Sequence, residues 1–391
     1  MRTLLASFVA CIAYALFPAG AGAVSLEFAV PDCGFPCNGD AVAIDGDTVA
    51  VTGINTLDGS TVVTVFVRKD GTWVWQADIT DPLPPSGSGW SQFGSFLALQ
   101  GDTLLVGATD FGSSRLSRVL VSQRNGEHWS RTQTLNFLGA RTAAVLTGLA
   151  LSGNTAAIGV LESERSGRVY VFEGHNGVFA RRADVAREFM GKYGHDENAY
   201  PLAFDGNTLL IGNAGENEAR GAAYAYRRNG AVWRLQQKFI DPTAAAGDQF
   251  GASVAVDGNS LAIGRFGLAG LRPDGQVNMY TQSAGKWVLQ QMLRSPGPPL
   301  PDYMIWASAF GNQLALGGGR LIASADYPFD RFLEAPGAHL FELVDGTWTE
   351  VSPFDTGGPL RRADISGDEA VTSGNSLRYA NSVFIYNLET P

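Results

Sequence analysis

Cys33 and Cys37 stand close together, with only Gly-Phe-Pro between them. Thiols at that spacing can close a small ring or donate to a metal. A closed zinc site takes four ligands, and His128, His175, His195 and His339 are too scattered to complete one. Nucleophilic catalysis finds no Gly-x-Ser-x-Gly elbow between a strand and a helix pattern. Gly317-Gly318-Gly319 lacks the lysine and following helix of a phosphate loop, and reads as a strand end. What remains is recognition chemistry: aromatic rings mixed with carboxylates in segments without periodicity, including Trp90, Tyr303, Trp306, Asp326, Tyr327 and Asp330. Such a mixture suits a carbohydrate, peptide or protein partner, although loop aromatics also anchor loops.

The elements that would position these residues are short and turn-rich. Glycine accounts for 48 of 391 residues and charged residues for only 17 %, the profile of a chain folded throughout rather than disordered. The formal charge of −10 leaves too little basic surface to neutralise phosphates, which excludes an electrostatic nucleic-acid binder. At the start, Arg2, an apolar run from Leu4 to Phe17 and Ala21-Gly22-Ala23 form an export signal, with cleavage expected after Ala23. Residues 1–23 are thus a signal peptide, and 24–391 a single domain expected to be secreted, periplasmic or at the cell surface. In an oxidising compartment a local Cys33–Cys37 disulfide is the default, with free thiols the alternative. Its short loop limits the stabilisation to about 2 kcal/mol.

Internal repetition organises the mature chain. A strand pattern runs into a Gly-centred turn at Gly46, Gly101, Gly153, Gly206, Gly258, Gly311 and Gly367, spaced 52 to 56 residues apart. That period suits four strands and is too long for two-helix repeats. Ala43, Ala98, Ala150, Ala203 and Ala255 precede their turns by three residues, with Ser308 and Asp364 at the other two. A second turn glycine precedes Trp73, Trp129, Phe179, Trp233, Trp287 and Trp348, which open a fourth strand and are assigned to inter-blade core. The last repeat lacks a fourth strand, and Val24 to Val30 could supply it. The fold class is therefore all-β: a seven-bladed β-propeller of four antiparallel strands per blade, its ring closed by the N-terminal strand. Blades fall approximately at 39–86, 93–138, 145–190, 199–247, 250–298, 305–355 and 359–391.

Phe93-Gly94 followed by Gly107-Ala108-Thr109, and Phe250-Gly251 leading into Gly258 and Gly264, resemble the FG-GAP repeat propellers of the integrin alpha head and of secreted bacterial proteins. The resemblance implies fold more than activity. Many members bind calcium through alternating aspartates in the connection after the second strand. No such alternation occurs here, Glu216 and Glu218 coming nearest, so neither calcium nor another cofactor is expected. Asp70-Gly71-Thr72-Trp73 is similar to a sialidase Asp-box but lacks the residue between Asp and Gly.

Strand direction puts both hairpin turns of each blade on one face and the longer connections on the other. The longer-loop face carries the aromatic and acidic residues named above. Three functions follow in order: a non-catalytic binding or adhesion module for an extracellular protein, peptide or glycan; a carbohydrate-active enzyme using paired carboxylates; a structural envelope module. A monomer without a membrane span is expected. The separation from Gly311 to Phe341 is 30 residues, against 19 to 22 in four other units, which points to an enlarged loop between Gly319 and Gly337. That loop makes Tyr303, Trp306, Tyr327 and Asp330 the candidate ligand rim.

Overall fold

The computed structural model describes residues 24–29, 41–54, 60–81, 91–110, 117–137, 145–163, 166–189, 201–265, 275–295, 310–324, 337–354, 360–374 and 382–388. They form seven four-stranded antiparallel sheets and one short helical turn, Glu216–Ala219. In six sheets the strand order follows the chain. In the seventh, Val24–Ala29 lies outside Ser382–Asn387, with Val24 opposite Tyr386 and Phe28 opposite Val383. The last blade is completed by the strand expected from the sequence. The first strands of the blades are Val42–Asp45, Ser91–Gln100, Val145–Ser152, Leu202–Asp205, Phe250–Asp257, Leu314–Gly317 and Leu360–Ser366. Each packs against the first strands of both neighbours, and Val42–Asp45 meets Leu360–Ser366, so the sheets form a closed ring.

The core sits between blades. Buried apolar residues fall into seven clusters, each shared by two adjacent blades. Alanine before the turn lets the inner strands approach: Ala43, Ala98, Ala150 and Ala255 are all buried. Trp73, Phe179, Trp287 and Trp348 are buried as inter-blade core, while Trp129 and Trp233 are half-buried. Glutamines stitch the outer strands alongside them. Gln237 accepts from the Trp287 N–H and donates to its carbonyl, at 3.1 and 2.9 Å. Gln291 treats Trp348 in the same way, at 2.8 and 2.9 Å. Gln133 does so with Phe179. Each amide gives its neighbour two hydrogen bonds, worth about 1 kcal/mol apiece.

One turn differs from the sequence reading. Blade six turns at Gly318-Gly319, with Gly317 paired to Arg320, and not at Gly311. Gly311 instead follows the fully buried Phe310, as Gly94 follows Phe93 and Gly251 follows Phe250. All three glycines have φ near +80 to +90°, and a β-carbon on Gly311 would fall 2.5 Å from Val277 Cγ2. Both posts demand a positive φ, so the glycine pattern alone does not separate them. Ala315, not Ser308, is therefore the small residue before the turn, and Ser324 replaces Gly317 as the residue six beyond it. From Gly318 to Phe341 is 23 residues, so the enlargement assigned to blade six largely disappears.

Polar side chains join the seams on the turn face. The residue before a turn glycine accepts the N–H of the next blade's turn glycine: Asp45 from Gly101, Asp205 from Gly258 and Asp257 from Gly318, at 2.6, 2.7 and 2.9 Å. Gln100, Ser152 and Ser366 do the same for Gly153, Gly206 and Gly46. Gly317 has no side chain to offer, and Arg320 crosses that seam to Asp368 instead, at 2.5 Å.

The closing seam adds Asp364, which takes the place of the recurrent alanine. Its carboxylate accepts the Ile44 N–H of blade one at 2.9 Å and its neighbour Ile365 N–H at 3.0 Å. Burial pushes this carboxyl up to about 6, partly opposed by the two N–H donors. A folded-state value above the unfolded one gives stability that is present at low pH and lost as pH rises through about 6. Asp364→Asn keeps an acceptor for Ile44 and removes the titration. Acidification from pH 7.5 to 5 is expected to raise the melting temperature of the native chain relative to this variant. A difference that stays constant across that range contradicts the assignment.

Candidate functional site

The described part of the longer-loop face is built where blade four meets blade five. Two segments form it: the connection Asn213 to Gly221 inside blade four, and the connection Asp241 to Gly251 between the blades. The first contains an unusual backbone. Asn217, Glu218 and Ala219 all have positive φ, at 51, 60 and 57°. L-residues enter this region at a cost of about 1–2 kcal/mol each, normally singly. Neighbouring backbone compensates: the Glu218, Ala219 and Arg220 carbonyls accept from the Gly247, Gln249 and Phe250 N–H groups, at 3.1, 2.8 and 3.0 Å. The Arg220 guanidinium also donates to the Ala244 carbonyl at 2.8 Å. The FG dipeptide is part of this contact, because a β-carbon on Gly212 would lie 2.0 Å from the Gly251 carbonyl oxygen.

Behind the turn, Glu216 gathers three partners. Lys238 Nζ donates to it at 2.5 Å, Asn213 Nδ2 at 3.1 Å, and the Tyr224 hydroxyl is a third donor. The Lys238 ammonium also lies 5.3 Å from the centre of the Tyr224 ring, a cation–π geometry. Tyr224 is pushed up to about 12, first by burial and then by its bond to Glu216. Lys238 is raised chiefly by that carboxylate. Both groups therefore stay protonated at neutral pH and act as donors. Asn217 and Glu218 are exposed at the tip.

The second segment is fastened from below. Arg265, only 4 % exposed, bonds Asp241 Oδ2 at 2.8 Å and lies 3.7 Å from Asp248 Oδ2. Asp241 Oδ1 accepts from the Thr243 N–H and hydroxyl, and Asp248 Oδ2 from the Ala245 N–H. A paired carboxylate thus exists on this face, but it is buried and committed to one guanidinium, which makes it structural. Blade two uses the same device, with Arg118 reaching Asp81 in the preceding connection.

Tyr303, Trp306, Asp326, Tyr327, Asp330 and Trp90 lie outside the described residues, as do Cys33, Cys37 and residues 1–23. The sequence reading missed Lys238, Tyr224 and the Arg265 pair. A signal was available in Gly247-Asp248-Gln249-Phe250-Gly251, whose aspartate was read as part of a motif and not as an ion-pair partner. Among the described residues no three His, Cys, Asp or Glu side chains gather as a metal group, and no helix is long and apolar enough to cross a membrane.

Comparison with known proteins agrees with this geometry. The FG-GAP repeat family model matches residues 233–277, which span the fourth strand of blade four, the connection and Arg265. No curated protein matches the chain. Among solved structures, hydrazine synthase of Kuenenia stuttgartiensis superposes with a TM-score of 0.54 at 12 % identity, covering 89 % of this chain and 96 % of that one. Sqt1 from Chaetomium thermophilum gives a TM-score of 0.48 at 16 % identity, covering 86 % and 80 %. At these identities the likeness is one of fold alone.

Arg265→Met leaves two buried carboxylates facing each other, and is expected to cost about 3–5 kcal/mol in chemical denaturation. Adding Asp248→Asn and Asp241→Asn should recover much of the loss. A neutral single variant contradicts the structural role given to Arg265.

Proposed function

We propose that this propeller, with its FG-GAP repeat at residues 233–277, is an exported, non-catalytic binding module that engages a protein, peptide or glycan through its longer-loop face. The observation that carries the reading is the platform between blades four and five. Its left-handed backbone presents Asn217 and Glu218 to solvent and is held by three hydrogen bonds from the adjoining connection. Backbone strain of this kind concentrates where a surface has to keep one shape. A rigid tip also loses little entropy on binding. Tyr303, Trp306, Asp326, Tyr327, Asp330 and Trp90 extend the same face by strand direction and supply rings and carboxylates for contact. The aromatic rim no longer rests on an enlarged blade-six loop, only on its place in the ring.

Calcium has no part in this reading. The blade-four connection already holds a cation of its own, since Lys238 Nζ neutralises Glu216 at 2.5 Å. Export follows from residues 1–23, with release, periplasmic retention and surface attachment all compatible.

The test uses the mature chain, residues 24–391, immobilised against extracellular and surface fractions from the source cells. Affinity for the recovered partner is then measured on variants. Tyr327→Ala with Asp330→Ala, or Asn217→Ala with Glu218→Lys, is expected to weaken binding at least tenfold, about 1.4 kcal/mol, at an unchanged melting temperature. Binding should survive EGTA. Full affinity in both loop-face variants, or loss of affinity on chelation, contradicts the proposal.

A further inference from the structure

The turn face carries a polar cavity that the loop-face reading does not use. It measures about 420 Å³ and lies between blades three and four, within the size of small-ligand sites. Ser152, Asn154, Thr155, Glu173, Asn207 and Arg228 line it, with turn glycines completing the wall.

Comparison around the ring explains why this seam differs. Arg68, Arg124 and Arg228 hold one equivalent post, each donating its backbone N–H to the second residue of its own blade's first turn. In blades one and two that turn residue is aspartate, and it neutralises the arginine: Asp47 with Arg68 at 2.7 Å, Asp102 with Arg124 at 2.6 Å. Both guanidiniums also stack over their blade's tryptophan, Trp73 or Trp129. In blade four the turn residue is Asn207. Arg228 therefore leans across the seam to Thr155 Oγ1 at 3.0 Å and to the Glu173 carboxylate. Glu173 is shared, because Arg182 Nε lies 3.4 Å from its other oxygen. Two guanidiniums on one carboxylate leave a local excess of positive charge on a chain whose formal charge is −10.

The same seam offers two exposed amides. Asn154 and Asn207 have their carbonyls tied to the Gly174 and Arg228 N–H groups, which fixes the backbone and leaves the side chains at the mouth. An amide both donates and accepts, which is what a hydroxyl requires of its partner, whereas a guanidinium only donates and prefers a carboxylate.

We infer that this cavity is a binding site for a small hydroxylated carboxylate of the sugar-acid class, its carboxylate meeting Arg228 and Arg182 and its hydroxyls meeting Asn154, Asn207 and Glu173. The site is independent of the longer-loop face. Asparagine in place of aspartate is its decisive feature, since a carboxylate at position 207 would satisfy Arg228 internally, as happens in blades one and two.

D-glucuronate is the probe, followed through the side-chain amide signals of Asn154 and Asn207 by NMR on the mature chain, with D-glucose and acetate as comparators. Glucuronate should shift both amides saturably, and each comparator should bind at least tenfold more weakly. Asn207→Asp reproduces the blade-one arrangement, so it should fold with an unchanged melting temperature and bind at least tenfold more weakly. Asn154→Asp, which adds a carboxylate from the other wall, is expected to act in the same direction. No saturable shift, acetate binding as well as glucuronate, or full affinity in both variants overturns the assignment.

Discussion

Every sheet of this protein is apolar on both faces, and a four-stranded sheet of that kind is stable only when another sheet covers each side. Seven such sheets can satisfy one another only as a ring. The seven apolar clusters are the result, one per seam, and the cluster between blades seven and one is built from Val42, Ile44 and Trp73 against Val371, Val383 and Ile385. Repeat folds of this kind derive stability from neighbour interfaces more than from the units themselves. The outer strand Val24–Ala29 therefore matters beyond its six residues, because it completes the blade on which the last seam is made.

Hydrophobic contact between blades is not directional, and the polar seam contacts supply register. On the turn face, the side chain before each turn glycine takes the next blade's glycine N–H, which fixes how far one blade slides past another. At the outer strands, glutamine amides read the backbone of the next blade at Phe179, Trp287 and Trp348. On the loop face, Arg118 and Arg265 fasten the inter-blade connections. Where a seam keeps this system, it is filled and neutral. Where it departs, as at Asn207, charge and space are left over. Departures from the repeat are thus the places to look for specificity, while the repeated residues maintain the ring.

The ring was legible in the sequence because its causes are local. Gly46, Gly101, Gly153, Gly206, Gly258 and Gly367 mark tight turns through a positive φ, and alternating apolar runs mark the strands on either side. Closure by Val24 to Val30 followed from simple accounting of an unpaired edge. Blade six shows the limit: Gly311 and Gly318 both require a positive φ, one for a close approach to Val277 and the other for a turn. Only the partners separate them. The site was less legible for the same reason. Asp45, Asp205 and Asp257 were visible as turn formers, yet their carboxylates act across seams. Glu216, Tyr224 and Lys238 belong to a connection and two different strands. Their meeting depends on strand register, which no spacing in the sequence records.

Closure of the ring by the N-terminal strand is the claim on which the rest depends. Thermal unfolding of the mature chain compared with one lacking residues 24–29 tests it most directly. Removal exposes the free edge of Ser382–Asn387 and weakens the seam beside it, so the account predicts a melting temperature lower by several degrees or more and faster amide exchange at Val383 and Ile385. An unchanged melting temperature with full protection of those amides would contradict it.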